Sequence, residues 1–228
     1  SLKRGPQIVV GTPGRTNDLI RRKKLIIGNI DRLILDEADE MLSMGFKEDL
    51  EAIIQQTPKQ KQILLFSATM TPKVVGVTKK YMKNSLEIAV ARVNRAADNV
   101  EHIFYVVKPR DRYEVVKRIA DMNPDIYGIV FCRTRRETKD IAIKLMNDHY
   151  NADTIHGDLS QSERDDVMRR FRKGQLQILV ATDVAARGLD VEDLTHIINY
   201  NLPDDDEIYI HRSGRTGRAG KKGVSIAI

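Results

Sequence analysis

The chain alternates short, continuous apolar runs with longer segments whose apolar residues recur every three or four positions. The runs include Ile8-Val9-Val10, Leu33-Ile34-Leu35, Ile63 to Phe66, Ile126 to Phe131, Ala152 to His156, Gln177 to Val180, Thr195 to Tyr200 and Gly223 to Ile228. Short runs rich in β-branched residues predict strands buried on both faces, as in a parallel sheet. Val100 to Val107 alternates and also reads as a strand. Helical spacing covers Thr16 to Arg22, Phe46 to Gln56 (Leu50, Ile53 and Ile54 on one face) and Arg112 to Met122. Capping boxes at Thr134-x-x-Glu137 and Ser160-x-x-Glu163 open two further helices, the second ending at Gly174. Gly11 to Arg15 reads as a turn, and Thr71-Pro72 as an N-cap followed by Pro at the first helical position. Leu86 to Val90 closes the first half, and Ala91 to Asn99 shows no periodicity. Strands alternating with helices predict βαβ units. The expected class is therefore α/β, with two tandem α/β/α domains at 1–92 and 100–228 joined by a linker at 93–99.

Composition narrows this little. A 228-residue chain that is 41% hydrophobic and 31% charged can bury two cores beneath a solvated surface. Its net charge of +6 fits a polyanionic partner better than an acidic exterior would. The single Cys132 excludes an internal disulfide and suits a reducing compartment. No long apolar run and no signal-peptide pattern occurs, so a soluble, cytoplasmic protein is expected. There is no Trp, and aromatics are 5%, so nucleic acid would be held by its backbone rather than by stacked bases.

The candidate chemistry starts where Leu33-Ile34-Leu35 runs into Asp36-Glu37. In open α/β sheets the C-terminal ends of strands form the ligand edge. Two adjacent carboxylates there call for a cation, a water network or a substrate. One acid holding Mg²⁺ beside nucleotide phosphates, with its neighbour acting on a water, is one such arrangement. The alternative is that the acids open the next helix, at its positive dipole end.

Asp36-Glu37-Ala38-Asp39 does not stand alone. Thr12-Pro13-Gly14-Arg15 lies upstream and Ser67-Ala68-Thr69 downstream. The second half carries Val130-Phe131-Cys132-Arg133-Thr134-Arg135, His156-Gly157-Asp158, Gln161-x-x-Arg164, Ala181-Thr182-Asp183-Val184-Ala185-Ala186-Arg187-Gly188-Leu189-Asp190 and His211-Arg212-Ser213-Gly214-Arg215-Thr216-Gly217-Arg218. In this order, the set resembles the bacterial-type DEAD-box ATP-dependent RNA helicases across essentially the whole chain. The resemblance implies two RecA-like domains that close on ATP and RNA to unwind or remodel RNA. It implies that Asp36 holds the nucleotide's Mg²⁺ and that Glu37 is the general base. It matches His211, Arg215 and Arg218 to the family's last motif as catalytic residues, with the arginine finger at Arg218 and Arg215 beside it on the γ-phosphate, and it places Asp190 at the ribose. It makes Asp39, Ser67 and Thr69 the residues that couple nucleotide state to RNA. RNA contacts fall on Thr12, Pro13, Gly14, Arg15, Arg133, Gly157, Gln161, Arg164, Thr182, Arg187 and Gly188.

Blander readings stand beside these. The arginine run could be a solvated basic turn, Asp190 a helix cap, and Ser67 a hydroxyl satisfying a strand end. Cys132, Met41 and Met44 read as core residues. Asp204 to Glu207 reads as an acidic helix start. His102, His149 and His196 show no metal-ligand spacing.

The sequence contains no Gly-x-x-x-x-Gly-Lys-Ser/Thr phosphate loop. By the resemblance that loop, the adenine-reading segment and the first RNA motif would precede Ser1, so about 100 residues of the first domain are expected to be missing. The chain by itself is then expected to bind ATP poorly. A second class of function follows from this: a nucleotide-deficient module that binds RNA or a partner.

Overall fold

The computed structural model describes residues 5–89, 99–186, 189, 191–218 and 220–228. The chain divides into two compact units, Ser1–Val93 and Asn94–Ile228. The linker reading falls outside the described residues except at Asn99.

In the first unit, β1 (Arg32–Leu35) pairs in parallel with β2 (Gln62–Leu65), in the register Leu35 to Leu65. Helices α1 (Pro13–Arg21), α2 (Ala38–Ser43), α3 (Lys47–Gln56) and α4 (Pro72–Tyr81) complete it. Leu35 from β1, Leu42 from α2, Leu50 and Ile54 from α3, and Val74 and Val77 from α4 form its core. The Thr71 hydroxyl accepts from Val74 N and Pro72 follows, the cap that the Thr-Pro pair predicts.

The same chemistry operates at Thr12-Pro13, where the sequence reading placed a turn. Pro13 opens α1 after Thr12, so Pro13, Gly14 and Arg15 form a first helical turn. Proline's fixed φ favours that position. Ile8-Val9-Val10 is not a strand, because among the described residues no strand pairs with it, and Ile8 and Val10 are exposed. Leu86 to Ala89 likewise joins no sheet. Met41 packs on the core, but Met44 is exposed: it caps α2 beyond the buried face.

The second unit has a six-stranded parallel sheet in the order β3-β8-β7-β4-β6-β5. Its strands are β3 (Val100–Phe104), β4 (Gly128–Phe131), β5 (Ala152–Ile155), β6 (Ile178–Ala181), β7 (His196–Asn199) and β8 (Gly223–Ala227). Alternate side chains serve opposite faces. Val130, Val180 and Ile198 pack with α5 (Arg112–Met122) and α6 (Arg135–Asn147). Ile129, Phe131, Leu179, Ala181 and Ile197 pack with α7 (Gln161–Arg172) and α8 (Asp183–Ala186). Cys132 belongs to the first of these cores, and burial pushes its thiol up, away from nucleophilic use.

Helix ends explain the remaining boundaries. Ser160 and Glu163 make the full reciprocal box: Ser160 Oγ accepts from Glu163 N, and the Glu163 carboxylate accepts from Ser160 N at 2.7 Å. Gly174 takes the left-handed conformation (φ 69°) just past α7, which Gly does without steric cost. Thr134 caps α6, but Glu137 turns to Arg133 N and Asn201 Nδ2 instead of completing a box. Asp205 caps α9 (Asp206–Ser213) by accepting from Glu207 N at 2.9 Å. Among the described residues no helix is long and apolar enough to cross a membrane.

Replacing Ser160 by Ala removes one half of that box. We expect a loss of about 1 kcal/mol of stability, read as a lower urea midpoint for the second unit.

Candidate functional site

Parallel pairing brings the loops that follow successive strands to one edge of each sheet. In the first unit that edge carries Asp36-Glu37 after β1 and Phe66-Ser67 after β2, stitched by Phe66 N to Leu35 O (2.8 Å) and Ala38 N to Phe66 O (3.0 Å). Asp36 and Glu37 are exposed. Asp36 Oδ1 accepts from Glu37 N at 3.0 Å. Glu37 has φ 52° and ψ 48°, a left-handed conformation that costs a residue with a Cβ about 1–2 kcal/mol. The turn directs the chain from β1 straight into α2.

Asp39, in the first turn of α2, is buried. Its Oδ2 accepts from Thr69 N (2.7 Å) and from Thr69 Oγ1 (2.8 Å). Ser67 Oγ accepts from Asp39 N at 3.3 Å and donates to Thr69 O at 2.8 Å. The three residues read as a coupling set thus form one hydrogen-bonded cluster joining α2 to the loop after β2. Thr12, Pro13, Gly14 and Arg15 sit at the N-terminus of α1, where the Gly14 and Arg15 N–H groups belong to the unsatisfied first turn. An amide-lined helix start suits an oxyanion, which replaces the turn argument made from sequence.

In the second unit the corresponding edge holds Arg133 after β4, His156-Gly157 after β5, Thr182 after β6 and Asn201 after β7. Arg133 N donates to Asn201 Oδ1 (2.8 Å), and its guanidinium pairs with Asp204 (2.9 Å). Arg164 reaches across from α7 to Ala185 O (2.6 Å), and Gln161 donates to Asp165 (2.7 Å). Thr182 is buried at the start of α8. Arg187, Gly188 and Asp190 lie outside the described residues.

His211 and Arg212 lie in the last turn of α9, and Arg215 and Arg218 follow it. Arg215 donates to Leu189 O at 3.2 Å, and Arg218 is exposed with its Nε on Gly214 O at 2.8 Å. Gly217 holds φ 69° beside Val100, where a Cβ would stand 2.6 Å from Val100 Cγ2, so the arginine loop lies close against the start of β3.

Sequence reading gave Arg212 no role, yet its guanidinium makes four hydrogen bonds. Only 4% exposed, it grips Asp183 through two bonds of 2.6 and 2.7 Å, and donates to Asn199 Oδ1 (2.9 Å) and Asn201 O (2.8 Å). Its guanidinium also stands 4.9 Å from the Phe131 ring centroid. The bidentate fork matches a carboxylate. This hub ties the ends of β4 and β7, α8 and α9 together. A signal existed in the apolar neighbours of Arg212 on a helix, but its partner Asp183 lies 29 residues away.

His156 is buried at the end of β5, and its Nδ1 accepts from Asp158 N at 3.3 Å. Asp158 in turn pairs with Arg135 and Lys139. Burial, then Lys139, hold the imidazole below its ordinary value.

Two family models match this chain: DEAD/DEAH box helicase over residues 1–77 and helicase conserved C-terminal domain over 111–220. ATP-dependent RNA helicase CshA of Listeria monocytogenes is 45% identical over 226 residues, which are 99% of this chain and 44% of that protein. DEAD-box ATP-dependent RNA helicase CshA of Geobacillus kaustophilus is 43% identical over 99% of this chain and 48% of its own length. The chain therefore spans less than half the length of these relatives. Among solved structures, S. cerevisiae Dbp5 bound to RNA and ADP BeF3 has a TM-score of 0.85 and 35% identity, covering 96% of this chain and 58% of that one. Mss116p bound to ssRNA and AMP-PNP has a TM-score of 0.84 and 28% identity, over 96% of this chain and 47% of that one. The fold of these units is that of RecA-like helicase domains. The chain belongs to the DEAD-box helicase family.

Two measurements probe these clusters. Asp39→Ala leaves two Thr69 donors without their acceptor, which should cost about 1–3 kcal/mol and speed hydrogen exchange at the Thr69 amide. For His156, the unfolded chain takes up its proton first as pH falls through 6.5. The folded state should therefore lose stability from about pH 6.5 downward, and His156→Asn should flatten part of that decline in urea midpoints. His196, also lowered by burial, would supply the remainder.

Proposed function

We propose that this chain is part of an ATP-dependent RNA helicase, in which 1–92 and 100–228 are successive lobes joined by 93–99. The lobes would use ATP to release or remodel RNA held by its backbone. The observation that carries the reading is Glu37, kept in a strained conformation beside Asp36 with both carboxylates exposed at a sheet's ligand edge. Strain of this kind persists where surrounding structure enforces it, and it clusters at functional sites.

The Asp36 carboxylate offers a hard oxygen ligand, with Oδ1 steadied by Glu37 N. That chemistry suits Mg²⁺, which usually keeps several waters. When bound, the ion would neutralise charge on the triphosphate. Glu37, one residue on, is assigned to orient and deprotonate the attacking water. Arg215 and Arg218, with His211 beside them, are assigned to the charge that develops on the transferred phosphoryl group, and Asp190 to the ribose. An arginine finger supplies about 10³–10⁵ in rate. Hydrolysis would need both sets of groups, so neither unit alone would turn over ATP.

RNA is assigned to Thr12, Pro13, Gly14 and Arg15 in the first unit. In the second it is assigned to Arg133, Gly157, Gln161, Arg164, Thr182, Arg187 and Gly188. These are backbone contacts, which position a strand without reading its sequence. Asp39, Ser67 and Thr69 would relay nucleotide state to the RNA side, because one hydrogen-bonded cluster joins the helix after Asp36-Glu37 to the loop after β2. The relatives' names as ATP-dependent RNA helicases support the reading.

The test uses the chain extended to the length of its relatives, with the unextended chain alongside. Arg218→Ala should abolish RNA-stimulated ATP turnover without changing the circular dichroism spectrum. Glu37→Gln should keep ATP binding and stop phosphate release. Wild-type turnover in both variants would overturn the assignments. RNA binding with no ATPase in the extended protein would favour a nucleotide-independent binding module.

A further inference from the structure

Beyond Thr12 to Arg15, α1 carries a feature that the helicase reading does not use. Its C-terminal end runs into Arg21-Arg22-Lys23-Lys24, four consecutive exposed cations. Asp18 is the one acid in α1, and it is already shared by Arg15 (2.8 Å) and Arg22 (2.6 Å). Among the described residues no acid pairs with Arg21, Lys23 or Lys24. Arg15, Asp18 and Arg22 follow i, i+3, i+7 spacing, so the face that presents Arg15 meets the basic run at Arg22, and Arg21, Lys23 and Lys24 surround that helix end. The other side packs on α3, where Asn17 Nδ2 donates to Asp49 Oδ1 at 2.8 Å.

The backbone adds an independent mark. Helix α1 closes through Lys23 N to Ile20 O (2.8 Å) and Lys24 N to Leu19 O (2.9 Å). That closure puts Lys23 in the left-handed region at φ 55°. Glycine fills this position in helix ends without steric cost. A lysine there keeps a charge at the expense of the fold. The helix dipole favours cations, but the preference fades within the last turn, and Arg21 alone would meet it.

We propose that Arg21, Lys23 and Lys24 form a second phosphate-contacting patch, which takes the RNA strand onward from Thr12–Arg15 along the exposed face of α1. The nine-residue helix is about 13 Å long, so the patch would be reached only by RNA extending beyond the first contacts. The proposal rests on the RNA-binding reading above and adds a direction to it. RNA is favoured over an anionic membrane or an acidic protein, because the cations close the same helix whose start is assigned to RNA.

The experiment measures binding of fluorescein-labelled oligouridylates of 6 and 20 nucleotides, across a salt series, to the chain and its variants. The variants are Lys23→Gly and the triple Arg21→Gln/Lys23→Gly/Lys24→Gln. Each phosphate contact on a single strand contributes about 0.7 to the slope of log K against log salt. With the 20-mer, Lys23→Gly should lower the slope by about 0.7 and the triple variant by about 2. The 6-mer, roughly 20 Å long at about 3.4 Å per nucleotide, also spans the helix and should show the same losses. Lys23→Gly should also leave the melting temperature unchanged or raise it, which separates lost contact from lost folding. Unaltered 20-mer slopes, in a chain that does bind RNA, would overturn the patch alone. A chain with no salt-dependent RNA affinity at either length would overturn the RNA-binding reading and the patch together. Phosphatidylserine vesicles that bind the chain, and release it only in the triple variant while RNA binding stays unchanged, would assign the patch to membrane and overturn it for RNA.

Discussion

Parallel pairing of strands buried on both faces is the constraint from which the rest follows. The central strands of the second unit give alternate side chains to two opposed cores, as Ile129 and Val130 do in β4. A strand so buried has no room for polar groups until it ends. Chemically active residues are displaced to the loops and helices that follow the strands, and parallel direction gathers those loops at one edge of each sheet. Asp36-Glu37, Ser67, Arg133, Gly157 and Thr182 are neighbours along such edges for this reason, although dozens of residues separate them in sequence.

Polar groups that penetrate beneath those edges are held by more than one partner. Asp39 accepts two bonds from Thr69, and Arg212 makes four bonds to Asp183, Asn199 and Asn201. Burying a charge is costly unless it is paired and fully hydrogen-bonded. Each cluster therefore fixes the relative placement of the elements that supply it. Asp39 locks the helix after Asp36-Glu37 to the loop after β2. Arg212 locks the helix bearing His211 to α8 and to two strand ends. Exposed groups such as Glu37 and Arg218 stand on these frames, rigidly based and free at the tip.

Much of this was legible in the residues. The apolar runs gave β1 and strands β4 to β8 to within a residue or two, and in β4 and β6 burial on both faces demands continuous hydrophobicity. Local chemistry gave the box at Ser160 and Glu163, the cap at Thr71 and the stop at Gly174, because those interactions span only a few residues. The misreadings are equally physical. Ile8-Val9-Val10 has strand composition, but a strand exists only with a partner. Thr12-Pro13 carries the same helix-start signal as Thr71-Pro72, and the glycines flanking it on either side suggested a turn.

The sequence by itself determined the α/β class, the order of elements and the identity of the charged groups, because these depend on periodicity and on neighbours a few residues apart. Tertiary structure alone decided that Arg212 would be buried against Asp183 and that Asp39 would meet Thr69. It also decided that Glu37 would sit in a left-handed turn with its carboxylate exposed. These outcomes depend on contacts between residues about thirty positions apart and on the sharp exit from β1. Such contacts come into being only when the sheet brings its loops to a common edge.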